Sequence, residues 1–259
     1  MRHDDASDTT TDADAGARAE ARASSFRTAF DGRRLDGYRG LPVFAAPGLH
    51  EAAAALLQGA LPPPRRVLEL GAGSGAMAQR LADLGYAVTA SDLFAGSFRP
   101  LDPIDFVTAD LNGPFAAGLP GDLEAVVALE LVEHLENPRH FLRQVRALLP
   151  PGGQLLLSTP NIANPVSQAM FLRTGRFQWF RDVDYAEQGH ITPLSPWVLE
   201  RALEEAGFVI REERAVSSAF RRPKGGGLLA RLLAPLFWLL SGLPRSRRGE
   251  LWLVRAEAR

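Results

Sequence analysis

No cysteine occurs in the 259 residues. That absence excludes a disulfide framework, a thiolate metal site and a cysteine nucleophile, and it fits a reducing, cytoplasmic setting. Lysine is almost missing as well. Lys224 is the only one, so positive charge is carried by arginine and a Schiff-base mechanism is disfavoured. Neither sign of charge dominates: 29 Lys and Arg against 30 Asp and Glu give a formal net charge of −1. Nucleic acid is therefore a disfavoured partner, with only local basic patches to attract it. The opening residues Met1-Arg2-His3-Asp4-Asp5 run into polar sequence without the apolar core of a secretory signal. No internal repeat is visible.

What is present is alternation. Residues 1–25, rich in Asp, Ala, Thr, Ser and Arg, read as a disordered tail. Residues 26–64 read as an N-terminal flap and an Ala-rich helix from Leu49, stopped by Pro62-Pro63-Pro64. Strand patterns follow over 67–70, 87–92, 106–110, 123–129 and 154–158. Between them lie a helix over 76–84, closed by Gly85, and one over 138–149, capped by Asn137 with Pro138 behind it. Ser195-Pro196 opens another helix, and 208–210 and 251–254 read as two final strands. The pattern predicts an α/β fold with a parallel, doubly wound sheet and ligands at the strands' C-terminal ends.

The most informative stretch is Val67-Leu68-Glu69-Leu70-Gly71-Ala72-Gly73-Ser74-Gly75, a buried strand entering a glycine turn that opens a helix. Such a turn suits the polar end of a nucleotide-like ligand. Gly71, Gly73, Ala76 and Asp92 also meet a dinucleotide pattern loosely, so the glycines alone do not choose the cofactor. Their neighbours do. Glu69 ends the first strand, where hydride transfer has no need of a carboxylate, and Asp92 and Asp110 end the next two. One carboxylate can grip a ribose diol, a second an adenine amine.

These residues, with Glu130-Leu131-Val132-Glu133-His134-Leu135 and Ser158-Thr159-Pro160-Asn161, follow in an order that resembles the class I S-adenosylmethionine-dependent methyltransferases of the small-molecule type. The resemblance covers about residues 65–208. It implies a Rossmann-like, doubly wound seven-stranded sheet with an antiparallel last strand, a methyltransferase domain over 65–259, and S-adenosylmethionine as donor. It also implies that Glu69, Gly71, Ala72, Gly73, Ser74 and Gly75 line the methionine portion. Asp92 and Leu93 would meet the ribose, Asp110 and Leu111 the adenine, and Glu130 would complete the cofactor site.

Methyl transfer is an in-line displacement in which the protein positions the acceptor and handles its proton. Glu130-Leu131-Val132-Glu133 stands where amino-group methyltransferases acting on bases carry Asp/Asn-Pro-Pro-aromatic, which disfavours exocyclic amines of nucleic acid. If this segment turns helical, Glu130, Glu133 and His134 share one face at i, i+3 and i+4. His134, Glu133 and His190 are the candidate catalytic residues. Glu130, Glu133, His134 and His190 are also candidate ligands for a divalent cation, magnesium or manganese. The spacing resembles ubiquinone-pathway O-methyltransferases and small-RNA 2′-O-methyltransferases, which place another histidine beyond strand five, and it is this resemblance that brings in His190. The expected acceptor is a hydroxyl oxygen of a quinone-like, sugar or lipid-linked molecule. Carbon or nitrogen methylation of a small metabolite is the enzymatic alternative, and a non-catalytic cofactor-binding scaffold the other. His50 and His140 are expected at the surface.

Two segments remain. Residues 162–193 read as an irregular lid carrying Phe171, Phe177, Trp179, Phe180 and Tyr185 among Arg173, Arg176 and Arg181, suited to a flat or sugar-like acceptor. Residues 219–249 form a basic, apolar insertion whose 225–243 portion is too short to span a bilayer and is broken by Arg231 and Pro235. It is expected to lie at a membrane interface, or to pack on the body or on a second copy.

Overall fold

The computed structural model describes residues 37–217, 228–242 and 244–259, without the side chains of 228–231. The expected tail over 1–25, the first part of the 26–64 flap and the basic flank at Arg221, Arg222 and Lys224 lie outside these residues.

The described chain opens with a minimal hairpin, β1 (Gly37–Tyr38) and β2 (Leu41–Pro42), followed by α1 (Leu49–Ala60). The sheet then builds from β3 (Arg66–Leu70), β4 (Ala87–Asp92), β5 (Asp105–Thr108), β6 (Ala125–Ala128) and β7 (Gln154–Pro160). Its helices are α2 (Ala76–Asp83) and α3 (Pro138–Leu148). After α4 (Pro165–Thr174) and α5 (Pro196–Glu205) come β8 (Phe208–Val216), α6 (Leu228–Leu240) and β9 (Leu251–Ala258). The spatial order is β5-β4-β3-β6-β7-β9-β8, a seven-stranded sheet. β3 to β7 pair in parallel, while β9 runs antiparallel to both β7 and β8.

Both faces of the sheet are covered, which is why its central strands read as unbroken apolar runs. Leu68, Leu70, Val126, Ala128, Leu155 and Leu157 point to one side, against Phe141, Leu142 and Val145 of α3 and Leu199 and Leu203 of α5. The alternate residues Val67, Ala125, Val127 and Leu156 meet Leu49, Leu56 and Leu57 of α1 and Met77 and Leu81 of α2. Strand alternation therefore aims Glu69 to the α1–α2 side, at the C-terminal end of β3.

Three differences from the sequence expectations have local causes. The 162–193 segment is not irregular: it holds α4 and a π-helical turn, Asp184–Gln188. The helix is announced by Asn164-Pro165, the same cap signal as Asn137-Pro138 and Ser195-Pro196. His50 is buried, not exposed, because 50, 53, 54 and 57 fall on the inward stripe of α1. Burial first, and then Arg80, lowers its pKa to about 4, so the ring is neutral. His140 is half-buried on α3 with Nε2 3.1 Å from the Gly113 carbonyl.

The caps differ in what depends on them. Asn137 is exposed and its Oδ1 accepts from His140 N–H at 2.9 Å. Asn164 is fully buried: its Oδ1 accepts from Ser167 N–H at 2.9 Å, and its amide donates to the Asn161 carbonyl at 2.7 Å and to Gln178 Oε1 at 3.1 Å. Asn137→Ala should cost about 1 kcal/mol of unfolding free energy. Asn164→Ala should cost roughly 2–4 kcal/mol, because two buried acceptors lose their donors as well. Urea unfolding of the two variants checks the ranking.

Candidate active site

The glycine turn between β3 and α2 is a backbone device. Gly71 and Ala72 N–H both donate to the Ser91 carbonyl, at 2.8 and 3.1 Å, which ties the turn to the end of β4. Gly75 has a φ of +87°, and a Cβ there would stand 2.9 Å from Phe98 Cε2. Gly71 has a φ of +75°, and its Cβ would meet Leu131 Cδ1 at 3.0 Å. Both positions therefore need glycine for conformation and for space. Gly73 N–H donates to Asp92 Oδ2 at 2.9 Å, while Asp92 Oδ1 accepts from Phe94 N–H at 3.2 Å. Ser74 Oγ donates to the Pro42 carbonyl at 2.6 Å.

Glu69 is the electrostatic centre of this turn. It is buried, its Oε2 has no hydrogen-bond partner, and desolvation raises its pKa to about 8. Asp92 adds a smaller repulsion. A buried, unpaired carboxyl oxygen beside a glycine turn fits a ligand that brings a cationic amino group, as the methionine end of the donor does. Leu93 is 44% exposed beside Asp92. Asp110 lies past the end of β5, not within it; it is exposed, and its Oδ1 accepts from Asn112 N–H at 2.9 Å. Leu111 is buried in the core shared with α3 and α5.

The segment after β6 is a single short 3₁₀ turn, Val132–His134, rather than an α-helix. Glu130 precedes it with a φ of +49°. The three expected side chains therefore do not share one face. Glu130 turns to Ser158: its N–H donates to Ser158 Oγ at 2.9 Å and its Oε1 accepts from that hydroxyl at 2.8 Å. Burial lifts its pKa to about 7. Glu133 is fully buried, accepts from Thr159 Oγ1 at 3.0 Å through Oε2, and leaves Oε1 without a partner. Burial, followed by the nearby Glu130, raises its pKa well above the carboxylate range.

His134 and His190 meet edge to face with ring centroids 4.8 Å apart. One ligand atom from each of Glu133, His134 and His190 lies within 4.8 Å of the others. Glu130, the fourth expected cation ligand, is not in that group. Burial lowers the pKa of His134 to about 4 and also lowers that of His190. Both rings are thus neutral at pH 7. His190 Nδ1 is 2.7 Å from the Trp179 carbonyl, and since a carbonyl oxygen only accepts, Nδ1 carries the hydrogen and Nε2 the lone pair.

Sequence reasoning names Trp179 and Arg181 only as lid residues and misses Asp184, Ser217 and Glu250, which with them hold this pair. Trp179 adopts a φ of +68°. Its indole N–H donates to Glu250 Oε1 at 3.1 Å, and Ser217 Oγ donates to Glu250 Oε2 at 2.7 Å. Arg181 grips the buried Asp184 through two contacts of 2.7 and 2.8 Å, fixing the turn before His190. Nothing local marks Glu250, which stands 71 residues from Trp179. A concavity of about 430 Å³, lined by Arg66, Tyr86, Thr89, Asp105 and Leu123, opens near the strands' N-terminal ends, away from this chemistry.

The family profile described as a methyltransferase domain matches residues 41–213, two-thirds of the chain. The chain belongs to the class I S-adenosylmethionine-dependent methyltransferases. A ubiquinone biosynthesis O-methyltransferase of Xanthomonas campestris is 36% identical over 107 residues, 38% of this chain and 44% of that protein. The match thus spans under half the length of that relative. Among solved structures, the Burkholderia thailandensis 1,6-didemethyltoxoflavin-N1-methyltransferase superposes with a TM-score of 0.57 at 17% identity, covering 99% of this chain and 93% of that one. The [4+2]-cyclase SpnF superposes equally well, with a TM-score of 0.57 at 15% identity, covering 93% and 94%. At these identities the likeness is one of fold, and it spans more than one chemistry.

The buried groups make stability depend on pH. Folded Glu69 keeps its proton up to about pH 8, whereas 4.5 is its ordinary value. Its contribution is complete below about pH 4.5 and is lost as pH rises through 8. His50 runs the other way, complete above 6.5 and lost as pH falls through about 4. Between pH 6.5 and 8 each carboxyl that is still protonated in the folded chain but ionised in the unfolded one should lower ligand-free stability by about 1.4 kcal/mol per pH unit. Urea midpoints at pH 6.5 and 8 should show the fall, and Glu69→Gln should flatten it.

Proposed function

We propose that the acceptor atom is a hydroxyl oxygen, held against Glu133, His134 and His190. The observation that carries this reading is a pair of buried, neutral imidazoles joined by a short turn to Leu131, which packs over Gly71 of the cofactor turn. The relative's printed name, an O-methyltransferase, supports it.

In the step itself the acceptor oxygen attacks the methyl carbon and the carbon–sulfur bond breaks. The sulfur keeps the electron pair, and the hydroxyl proton passes to an imidazole nitrogen. His190 Nε2 is the prepared acceptor of that proton, because the Trp179 carbonyl holds the hydrogen on Nδ1. A general base of this kind supplies on the order of 10²–10⁴ in rate. An amine acceptor needs less help, since its proton is acidified only as the bond forms. The aromatic side chains Phe180, with its ring 5.7 Å from His190, and Trp179 suit a flat acceptor.

A divalent cation is the second reading of the same donors. Burial disfavours the ionised form of Glu133, and a bound cation would favour it and supply Lewis-acid activation of the acceptor oxygen. Two imidazoles and one carboxyl form a set better suited to a transition ion than to magnesium.

Turnover of labelled donor over a panel of phenols, sugars, amines and carbon acids tests the proposal. His190→Ala should lower kcat by about 10²–10⁴ with affinity for S-adenosylhomocysteine unchanged. Activity should survive exhaustive chelation; loss that manganese restores would select the cation reading instead. Undiminished turnover by both the His190 and the His134 alanine variants would remove both.

A further inference from the structure

α6 has two apolar faces, and the described residues cover one. Ala234 is fully buried, with Leu233 and Phe237 partly so, against Val166, Ala169 and Met170 of α4. Facing away are Leu232, Leu236, Leu239 and Leu240, which are 65%, 50%, 74% and 72% exposed. Their spacing of i, i+4, i+7 and i+8 makes one stripe along the helix. α4 adds Phe171 and Leu172, both exposed. With Trp238, these two helices hold seven of the twelve large apolar side chains left exposed among the described residues, so the exposure is a patch and not scatter.

The two segments that carry the patch are rich in arginine. Residues 219–249 contain seven basic and no acidic residues, and 170–181 contain three arginines and no acid, in a chain whose net charge is −1. Arg173 and Arg245 are exposed, and so is Arg176, which pairs with the exposed Asp182 at 2.9 Å. The Arg248 guanidinium lies 4.8 Å from the Trp238 ring, an aromatic–cation pair suited to a headgroup region. At 13 residues α6 is about 20 Å long, short of a bilayer core. No helix among the described residues is long and apolar enough to cross a membrane.

We propose that the outer face of α4 and α6 docks on an anionic lipid surface, the leucine stripe at the acyl boundary and the arginines at the phosphates. A second copy of the chain fits this face less well. A two-fold dimer through it would bring the arginines of one copy against those of the other. The inference rests on the fold and the patch, and it stands apart from the choice of acceptor atom.

Sedimentation of the full chain with vesicles tests it, using phosphatidylcholine alone against phosphatidylcholine with one-third phosphatidylglycerol. The chain should pellet with the anionic vesicles and be released by salt. Leu236→Glu with Leu239→Glu should lower that partitioning more than tenfold. Arg173→Gln with Arg245→Gln should lower it about tenfold or more. Calorimetric binding of S-adenosylhomocysteine by each variant shows that it remains folded. Three results would each overturn the proposal: no sedimentation, equal sedimentation with neutral vesicles, or a concentration-dependent dimer that the glutamate variant dissolves.

Discussion

Three carboxyl groups are taken out of water at the C-terminal ends of two adjacent strands, and the site is organised around that constraint. Glu69 lies at the end of β3 before the glycine turn, while Glu130 precedes the turn after β6 and Glu133 lies within it. Burial disfavours the ionised carboxylate, so it raises the pKa of all three groups, to about 8 for Glu69 and about 7 for Glu130. Ser158 and Thr159, at the end of β7, satisfy part of the demand. One oxygen of Glu69 and one of Glu133 stay open, the first at the cofactor turn and the second at the imidazole pair. On the proposed reading the first faces the donor and the second the acceptor.

The acceptor side is held from a distance. His190 presents a defined lone pair because the Trp179 carbonyl fixes its hydrogen, and Trp179 sits in the left-handed region, where a non-glycine residue stores about 1–3 kcal/mol. Its anchor is Glu250, at the threshold of β9, which the sheet order brings beside β7. The antiparallel strand thus does more than close the sheet. It carries the support for a side chain that belongs to the loop after β7.

Most of the donor side was legible in the chain because it is local. Glu69, the glycines and Asp92 lie within one strand–turn–helix–strand unit, and their spacing carries their geometry. The parallel sheet was legible for the same reason, from apolar strands separated by capped helices. The acceptor side was not, because its geometry depends on one dihedral and on remote contacts. Glu130 has a positive φ, and that single rotation converts an expected helical face into Glu130 on Ser158 and Glu133 on Thr159. The α4 cap at Asn164-Pro165 could have been read, since it repeats a signal recognised twice elsewhere. The partnership of Trp179 with Glu250 could not.

The central claim is that the methyl group leaves the sulfonium toward an oxygen whose proton the histidine pair accepts. The most direct measurement is the carbon chemical shift of the product methyl after turnover with a ¹³C-methyl-labelled donor and the acceptor that turns over best. The account predicts a methyl carbon in the range of an oxygen-bound methyl. A nitrogen-bound or carbon-bound methyl would contradict it.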